Sequence, residues 1–277
     1  MVNLEITTAE FDRFRNYIKS NVGISLSDQK ASMVRGRLSK RVSQLGLGSF
    51  SDYYDYLLND MSGEELTLFI NAISTNVTSF FRSPVHWEFL KQHLSYLSEL
   101  KGKKKKLRIW SAACSSGEEP YTIAMTLKDN LKDFDQWDIK ILATDISQKV
   151  LAKAAKGIYS DKDVIGLSKF TLANHFDKSK GSDGSTIYKV KDELRNLIMF
   201  RSFNLVTDTF SIFKNRFDII FCRNVMIYFD PPTRKALIDR YGNLLEPGSL
   251  LFIGDSEALT ENKQNFSLVR SSVYKRI

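Results

Sequence analysis

Cysteine is scarce here: only Cys114 and Cys222 occur in 277 residues. That excludes a disulfide-stapled scaffold and points to a reducing compartment. Histidine is nearly as rare, and His86, His93 and His175 leave little for a zinc site. No apolar run approaches the ~20 residues of a membrane span. The opening MVNLEITTAEFDRF has neither the basic nor the apolar stretch of a secretory signal, so a cytoplasmic location is expected. Acid is missing from Gln29 to Ser51, whereas Lys30, Arg35, Arg37, Lys40 and Arg41 all fall there. Internal repeats and long low-complexity segments are missing too. Collagen, coiled coil, membrane channel and small secreted module are excluded.

What is present is an ordinary globular composition, 43% hydrophobic and 26% charged, enough for a sizeable core. At roughly 150 residues per domain, the length suits one large domain or two modest ones. The net charge of +8 points weakly to an acidic partner: nucleic acid, anionic membrane or an acidic protein surface.

The first part of the chain reads as successive helices. Phe11, Phe14, Tyr17 and Ile18 fall at helical spacing before Gly23; Val34, Leu38, Val42 and Leu45 form a stripe before Gly46. Ser51 and Asp52 can cap a short helix. Ser62 and Glu65 have the spacing of a capping box, and Ser83-Pro84 that of a helix start. After the lysine block 103–106, taken as a solvated linker, the period changes. LRIWSAAC, DIKILATD, FDIIFCRNV and GSLLFIGDSEAL read as buried strands, with helices EEPYTIAMTLKDNL, SQKVLAKAAKGIYS and PPTRKALIDRYGNLL between them. That alternation predicts a mostly parallel sheet covered on both faces. FSLVRSSVYKRI reads as a final strand. TIYKV and LIMFRSF alternate like antiparallel strands, so residues 160–203 are expected to form a small β insertion.

The loop after the first strand, Ser111 to Pro120, is rich in small residues that let backbone approach a ligand. It is not G-x-G-x-x-G, and Glu118 and Glu119 at the helix start repel phosphate. A cationic ligand fits better, unless the two acids merely stabilise the helix. Asp145 closes the second strand, where α/β folds grip a ribose through its hydroxyls, although a helix cap is its plainer reading. A small-residue loop, helix-start acids, a ribose acid and no phosphate site together suggest S-adenosylmethionine (SAM). Leu244 to Leu250 also looks like the turn into the fifth strand of class I methyltransferases. Phe229-Asp230-Pro231-Pro232 resembles the D-P-P-aromatic motif of adenine methyltransferases, but Thr233 replaces the aromatic and the prolines suit a helix start.

Four segments in order carry a wider resemblance: Asn76 to Arg82 (NVTSFFR), Trp110 to Tyr121 (WSAACSSGEEPY), Ala143 to Ile146 (ATDI) and Phe221 to Phe229 (FCRNVMIYF). With them the chain resembles the chemotaxis receptor methyltransferase family, CheR, in its stand-alone form. The resemblance implies an all-α N-terminal domain over residues 1–75, a linker and helix over 76–106, and a Rossmann-like class I methyltransferase domain over 107–277 carrying the β insertion. It implies protein-glutamate O-methyltransfer from SAM, with S-adenosylhomocysteine as product, to glutamates on the cytoplasmic helices of chemoreceptors. It further implies a monomer, cytoplasmic and recruited to membrane receptor arrays, with no metal, no nucleic acid and no membrane insertion. Carried over by motif, the cofactor contacts are Asn76, Thr78, Arg82, Glu118, Asp145, Asn204, Leu205, Arg223 and Asn224. Glu118 would hold either the methionine ammonium or a ribose hydroxyl. Arg82 and Arg223 can meet carboxylates of cofactor or substrate.

A glutamate side chain, with a pKa of about 4.3, is already an anion at neutral pH, so no catalytic histidine or thiol is needed. The task is to align the carboxylate and exclude water. Arg82 and Tyr228 are the candidates to orient it; core packing is the plainer reading of Tyr228. Lys30, Arg37 and Arg41 are expected along one side of a helix, either as a docking face for an acidic receptor helix or as a solvated charged face. In some family members the insertion takes up a receptor's C-terminal peptide as an added strand. Gly181 and Gly184 sit where such a loop would be, but the loop departs from the family's peptide-binding pattern. A nucleic-acid methyltransferase, suggested by the charge, and a non-catalytic SAM-binding sensor are the competing readings. The first lacks a base-stacking motif, and intact residues at the cofactor positions weigh against the second.

Overall fold

The computed structural model describes residues 4–74, 78–101, 105–259 and 264–277. Asn76, Lys103 and Lys104 lie outside the described residues. The chain divides into two compact units. One is Met1–Val77 with Asn204–Asp208 and Tyr228–Arg234; the other is Thr78–Phe203, Thr209–Ile227 and Lys235–Ile277.

The first unit is built on helices α1 (Thr8–Val22), α2 (Ala31–Gln44), α3 (Phe50–Asn59) and α4 (Glu64–Ile73). Thr7 opens α1 with a capping box: its hydroxyl accepts from the Glu10 N–H, and the Glu10 carboxylate accepts from the Thr7 N–H. Gly23 ends α1 in a left-handed conformation. Phe14 lies against Phe50, Tyr53, Tyr54 and Phe69, with ring centroids 5.4–6.5 Å apart. Burying a side chain of that size is worth roughly 1.5–3 kcal/mol, which makes this aromatic cluster the core of the unit. Residues 228–234 join the unit through an antiparallel bridge from Phe229 to Ile24, a bond from the Ser25 N–H to the Tyr228 carbonyl (2.7 Å), and an ion pair of Lys19 with Asp230 (2.9 Å).

Three expectations are corrected here. Ser49, not Ser51 or Asp52, caps α3 by accepting from the Asp52 N–H. Ser62 and Glu65 do not form a capping box. The Glu65 N–H donates to Asp60 Oδ2 (2.6 Å), and the Glu65 carboxylate turns inward. There it takes two bonds from Arg41 and one from the Tyr53 hydroxyl (2.7 Å). Lys30, Arg37 and Arg41 do not form one exposed helix face. Lys30 ends a 3-10 turn before α2. Arg37 donates to the carbonyls of Ala72, Ile73 and Ser74 at the end of α4, where unpaired backbone acceptors accumulate.

The second unit opens with α5 (Pro84–Lys101) and alternates β1 (Lys106–Ala112), α6 (Glu118–Asn130), β2 (Asp138–Asp145) and α7 (Gln148–Lys156). A three-stranded antiparallel sheet follows, ordered β3 (Ile158–Ser160), β5 (Thr186–Val190), β4 (Phe176–Lys180), with α8 (Lys169–His175) before β4. After α9 (Asp192–Arg195) come β6 (Ile198–Ser202), β7 (Phe217–Cys222), α10 (Pro231–Leu244), whose first residues belong to the other unit, then β8 (Leu245–Ile253), β9 (Phe266–Arg270) and β10 (Val273–Arg276). Among the described residues the main sheet has seven strands in the order β6-β2-β1-β7-β8-β10-β9. The first five are parallel; β10 and β9 are antiparallel additions.

Two strand expectations change. LIMFRSF is not part of the insertion: β6 joins the main sheet, parallel to β2, with Ile141 opposite Ile198. The final strand is a hairpin, β9 and β10, turning at Ser271-Ser272 with Ser272 at φ 58°. At the centre of the unit Trp87, Phe221 and Phe252 form a stack, with Phe221 and Phe252 only 4.3 Å apart.

Candidate active site

β1 has β2 on one side and β7 on the other, so the strand order reverses beside it. In open α/β sheets, ligands bind outside the carboxyl ends of the strands at such a point. The ends of β1, β2 and β7 and the segments that follow them carry Glu118, Glu119, Asp145, Arg223 and Asn224.

The loop after β1 depends on small residues. Ala113, Ser115 and Gly117 all have positive φ (71°, 49° and 99°), a backbone that larger residues resist. A Cβ on Gly117 would lie 2.9 Å from both the Ala154 Cβ and the Tyr159 hydroxyl. The loop is tied to β2 by the Cys114 N–H on the Thr144 carbonyl (2.8 Å) and the Ser115 N–H on Asp145 Oδ2 (2.9 Å). Asp145 Oδ1 accepts from the Ser147 N–H at 2.9 Å. The Ile146 backbone donates to the same carboxylate, which still has acceptor capacity for a further donor. Burial pushes the Asp145 carboxyl above its ordinary value, and the backbone donors only partly offset this.

Glu118 is 3% exposed at the N-terminus of α6. Its carboxylate meets the Ser116 hydroxyl at 2.7–2.9 Å, and burial raises its pKa as well. The Tyr159 hydroxyl donates to the Ser116 carbonyl (2.8 Å), which holds this end of the loop.

Arg223 follows β7 and is engaged within the protein. It meets Glu119 at 3.1 Å and the Arg82 carbonyl at 2.7 Å, and lies 5.5 Å above the Trp87 ring. The Trp87 indole donates to the same carbonyl (2.8 Å), and Ser111 donates to Glu119 (2.7 Å). In this arrangement Arg223 positions Glu119 and the segment around Arg82. Arg82 itself is half-buried, as is Thr78. Asn224 is held in the left-handed region (φ 60°), with its N–H directed at Glu257 (3.3 Å). Cys114 and Cys222 are buried, and burial raises both thiols, which suits wall residues rather than nucleophiles.

Thr78, Arg82, Glu118, Asp145, Arg223 and Asn224 thus belong to the second unit. Asn204, Leu205 and Tyr228 fall in the first. The Asn204 side chain organises its own turn, accepting from the Val206 and Thr207 N–H groups and donating to the Asn21 carbonyl at 2.7 Å. Leu205 is buried and Tyr228 half-buried. Sequence reasoning missed Trp87, the pairing role of Glu119, and Glu257. An acid closing a strand flagged Asp145, whereas Glu257 lies beyond the end of β8 (Leu245–Ile253) and carries no such signal.

Two buried carboxylates, uncompensated by a nearby cation strong enough to outweigh burial, suit a ligand bearing positive charge and hydroxyl donors. The loop has no lysine or arginine to neutralise a phosphate. Residues 76–275 match the family described as CheR methyltransferase, SAM binding domain, and residues 9–74 match CheR methyltransferase, all-alpha domain.

The chain belongs to the CheR methyltransferase family.

Relatives agree along nearly the full length. A chemotaxis protein methyltransferase of Borreliella burgdorferi is 38% identical over 99% of this chain and 96% of its own. That of Escherichia coli is 38% identical over 98% and 92%, and chemotaxis protein methyltransferase 2 of Pseudomonas aeruginosa 39% identical over 97% and 93%. The cofactor of this CheR-family chain is SAM, and the donor set fits it: Asp145 offers acceptors to vicinal hydroxyls, and Glu118 an anion to an ammonium or a hydroxyl. No helix among the described residues is long and apolar enough to cross a membrane.

Proposed function

We propose that this methyltransferase esterifies glutamate side chains of chemoreceptors. The observation that carries the reading is the near-complete two-way match to chemotaxis protein methyltransferases. The chemistry supports it. Bound SAM supplies a methyl group made electrophilic by its sulfonium. Asp145 and Glu118 hold the cofactor's polar groups, and the small-residue loop allows close approach. Arg82 is the proposed cation for the incoming carboxylate, whose approach to an acidic site otherwise meets repulsion. Too tight a grip would favour the ground state and slow transfer. The Tyr228 hydroxyl is the proposed second orienting group. Receptor docking is assigned to the basic stretch of α2. Because Arg37 and Arg41 hold α4 and Arg35 pairs with Glu5, the exposed charges proposed for docking are Lys40 of α2 and Lys30 in the turn before it. A second contact is proposed at the β4 edge, where a receptor C-terminal peptide would add as a strand.

The test is incubation with methyl-labelled SAM and receptor-containing membranes. Label in the receptor that base releases supports the ester; label only in nucleic acid overturns the reading.

A further inference from the structure

Glu257 has no part in the chemistry described so far, yet its half-buried carboxylate collects backbone donors from two loops. Oε2 accepts from the Gly254 N–H (2.5 Å) and the Asn224 N–H (3.3 Å), and Oε1 from the Ile227 N–H (3.1 Å). Gly254 and Glu257 follow β8; Asn224 and Ile227 follow β7, its parallel neighbour. One side chain therefore fastens two loops at the carboxyl edge of the sheet.

The fit is close. A Cβ on Gly254 would lie 2.8 Å from Glu257 Oε2 and 2.9 Å from both nitrogens of Asn224. Asn224 is left-handed, a conformation that asparagine adopts more readily than most residues with a side chain, and its N–H there faces Glu257 Oε2. Arg223 precedes it and Tyr228 follows Ile227.

We propose that Glu257 is a positioning residue for methyl transfer, its carboxylate setting the conformation in which residues 223–227 present Arg223 and Asn224 and lead into Tyr228. This rests on the function proposed above. A carboxylate is the group the geometry demands, because it accepts on both oxygens. A glutamine of the same length must turn its NH2 toward either Ile227 or the Gly254–Asn224 pair, donor against donor.

The full-length chain is compared with E257Q and with G254A, which keeps the carboxylate but displaces it. In both variants turnover at saturating SAM and receptor is expected to fall by about tenfold or more, the scale of one lost charge-assisted hydrogen bond. Hydrogen exchange at the Asn224 and Ile227 amides should quicken, while β1 and β2 stay protected. Wild-type turnover in folded E257Q overturns the proposal. So does lost turnover with unchanged exchange at those two amides. If E257Q does not fold, G254A carries the same two readouts. Should the wild-type enzyme not methylate receptor, the functional reading is wrong, and the exchange measurement still decides what Glu257 holds.

Discussion

Asp145 shows how one residue's surroundings set its chemistry. Asp145→Ala removes an acceptor for hydroxyl donors. At about 1.5–3 kcal/mol for a charge-assisted hydrogen bond, affinity for SAM and S-adenosylhomocysteine should drop tenfold to a hundredfold by calorimetry. Unchanged affinity in a folded variant would take Asp145 out of the site. Acidity offers an independent check. Burial raises Asp145 and Glu118, so the folded protein keeps these protons to higher pH than the unfolded chain does. Their contribution to stability is therefore largest below the ordinary carboxylate value and is lost as pH rises through the raised one. Cofactor affinity should run the other way, growing over that window because a cationic ligand favours the ionised forms. Titrations between about pH 4 and pH 7 should show this slope, flattened in Asp145→Asn. Turnover isolates Tyr228: Tyr228→Phe should slow methyl transfer while leaving cofactor affinity near wild type, and normal turnover would mark it as packing.

At the level of elements, identical local patterns led to different outcomes. Thr7-x-x-Glu10 and Ser62-x-x-Glu65 share a capping-box spacing, but only the first forms one. Glu65 is instead drawn into the unit by Arg41 and Tyr53. Breaking a buried ion pair on one side leaves the other charge poorly compensated, so Glu65→Ala should lower stability by about 3 kcal/mol in denaturant unfolding. A value within experimental error of zero would mean the network adds nothing. The loop after β1 was legible because small residues between a strand and a helix have few other uses. Gly117→Ala should weaken cofactor binding, since its Cβ meets Ala154 and Tyr159 at a positive φ. LIMFRSF was misassigned for a different reason. Alternation reports that a segment is a strand, not which sheet accepts it.

For the whole molecule, charge placement is the testable matter. The net +8 suggested an acidic partner, and the acid-free stretch localised it. Arg37 and Arg41 are poor probes of docking, because each bonds within its own unit. Lys30→Glu with Lys40→Glu is the better pair. It should raise the apparent KM for receptor and leave SAM affinity unchanged. The effect should shrink with salt, as the Debye length falls from about 10 Å at 0.1 M to about 3 Å at 1 M. Receptor methylation indifferent to both the variants and salt would leave this face merely solvated.

Periodicity and strand-end acids were readable in the chain because each depends on neighbours a few positions away. Hence the helices before residue 75, the alternation after 106, and Asp145 and Glu118 could be named before any fold was known. Long-range pairing decided the rest. Arg223 finds Glu119 across 104 positions, Arg41 finds Glu65 across 24, and Glu257 reaches Asn224 across 33. Nothing local selects those partners. The strand order brings the ends of β1, β7 and β8 together, so that Arg223 meets Glu119 and Glu257 meets backbone donors there, while Asp145 and Glu118 are left for a ligand.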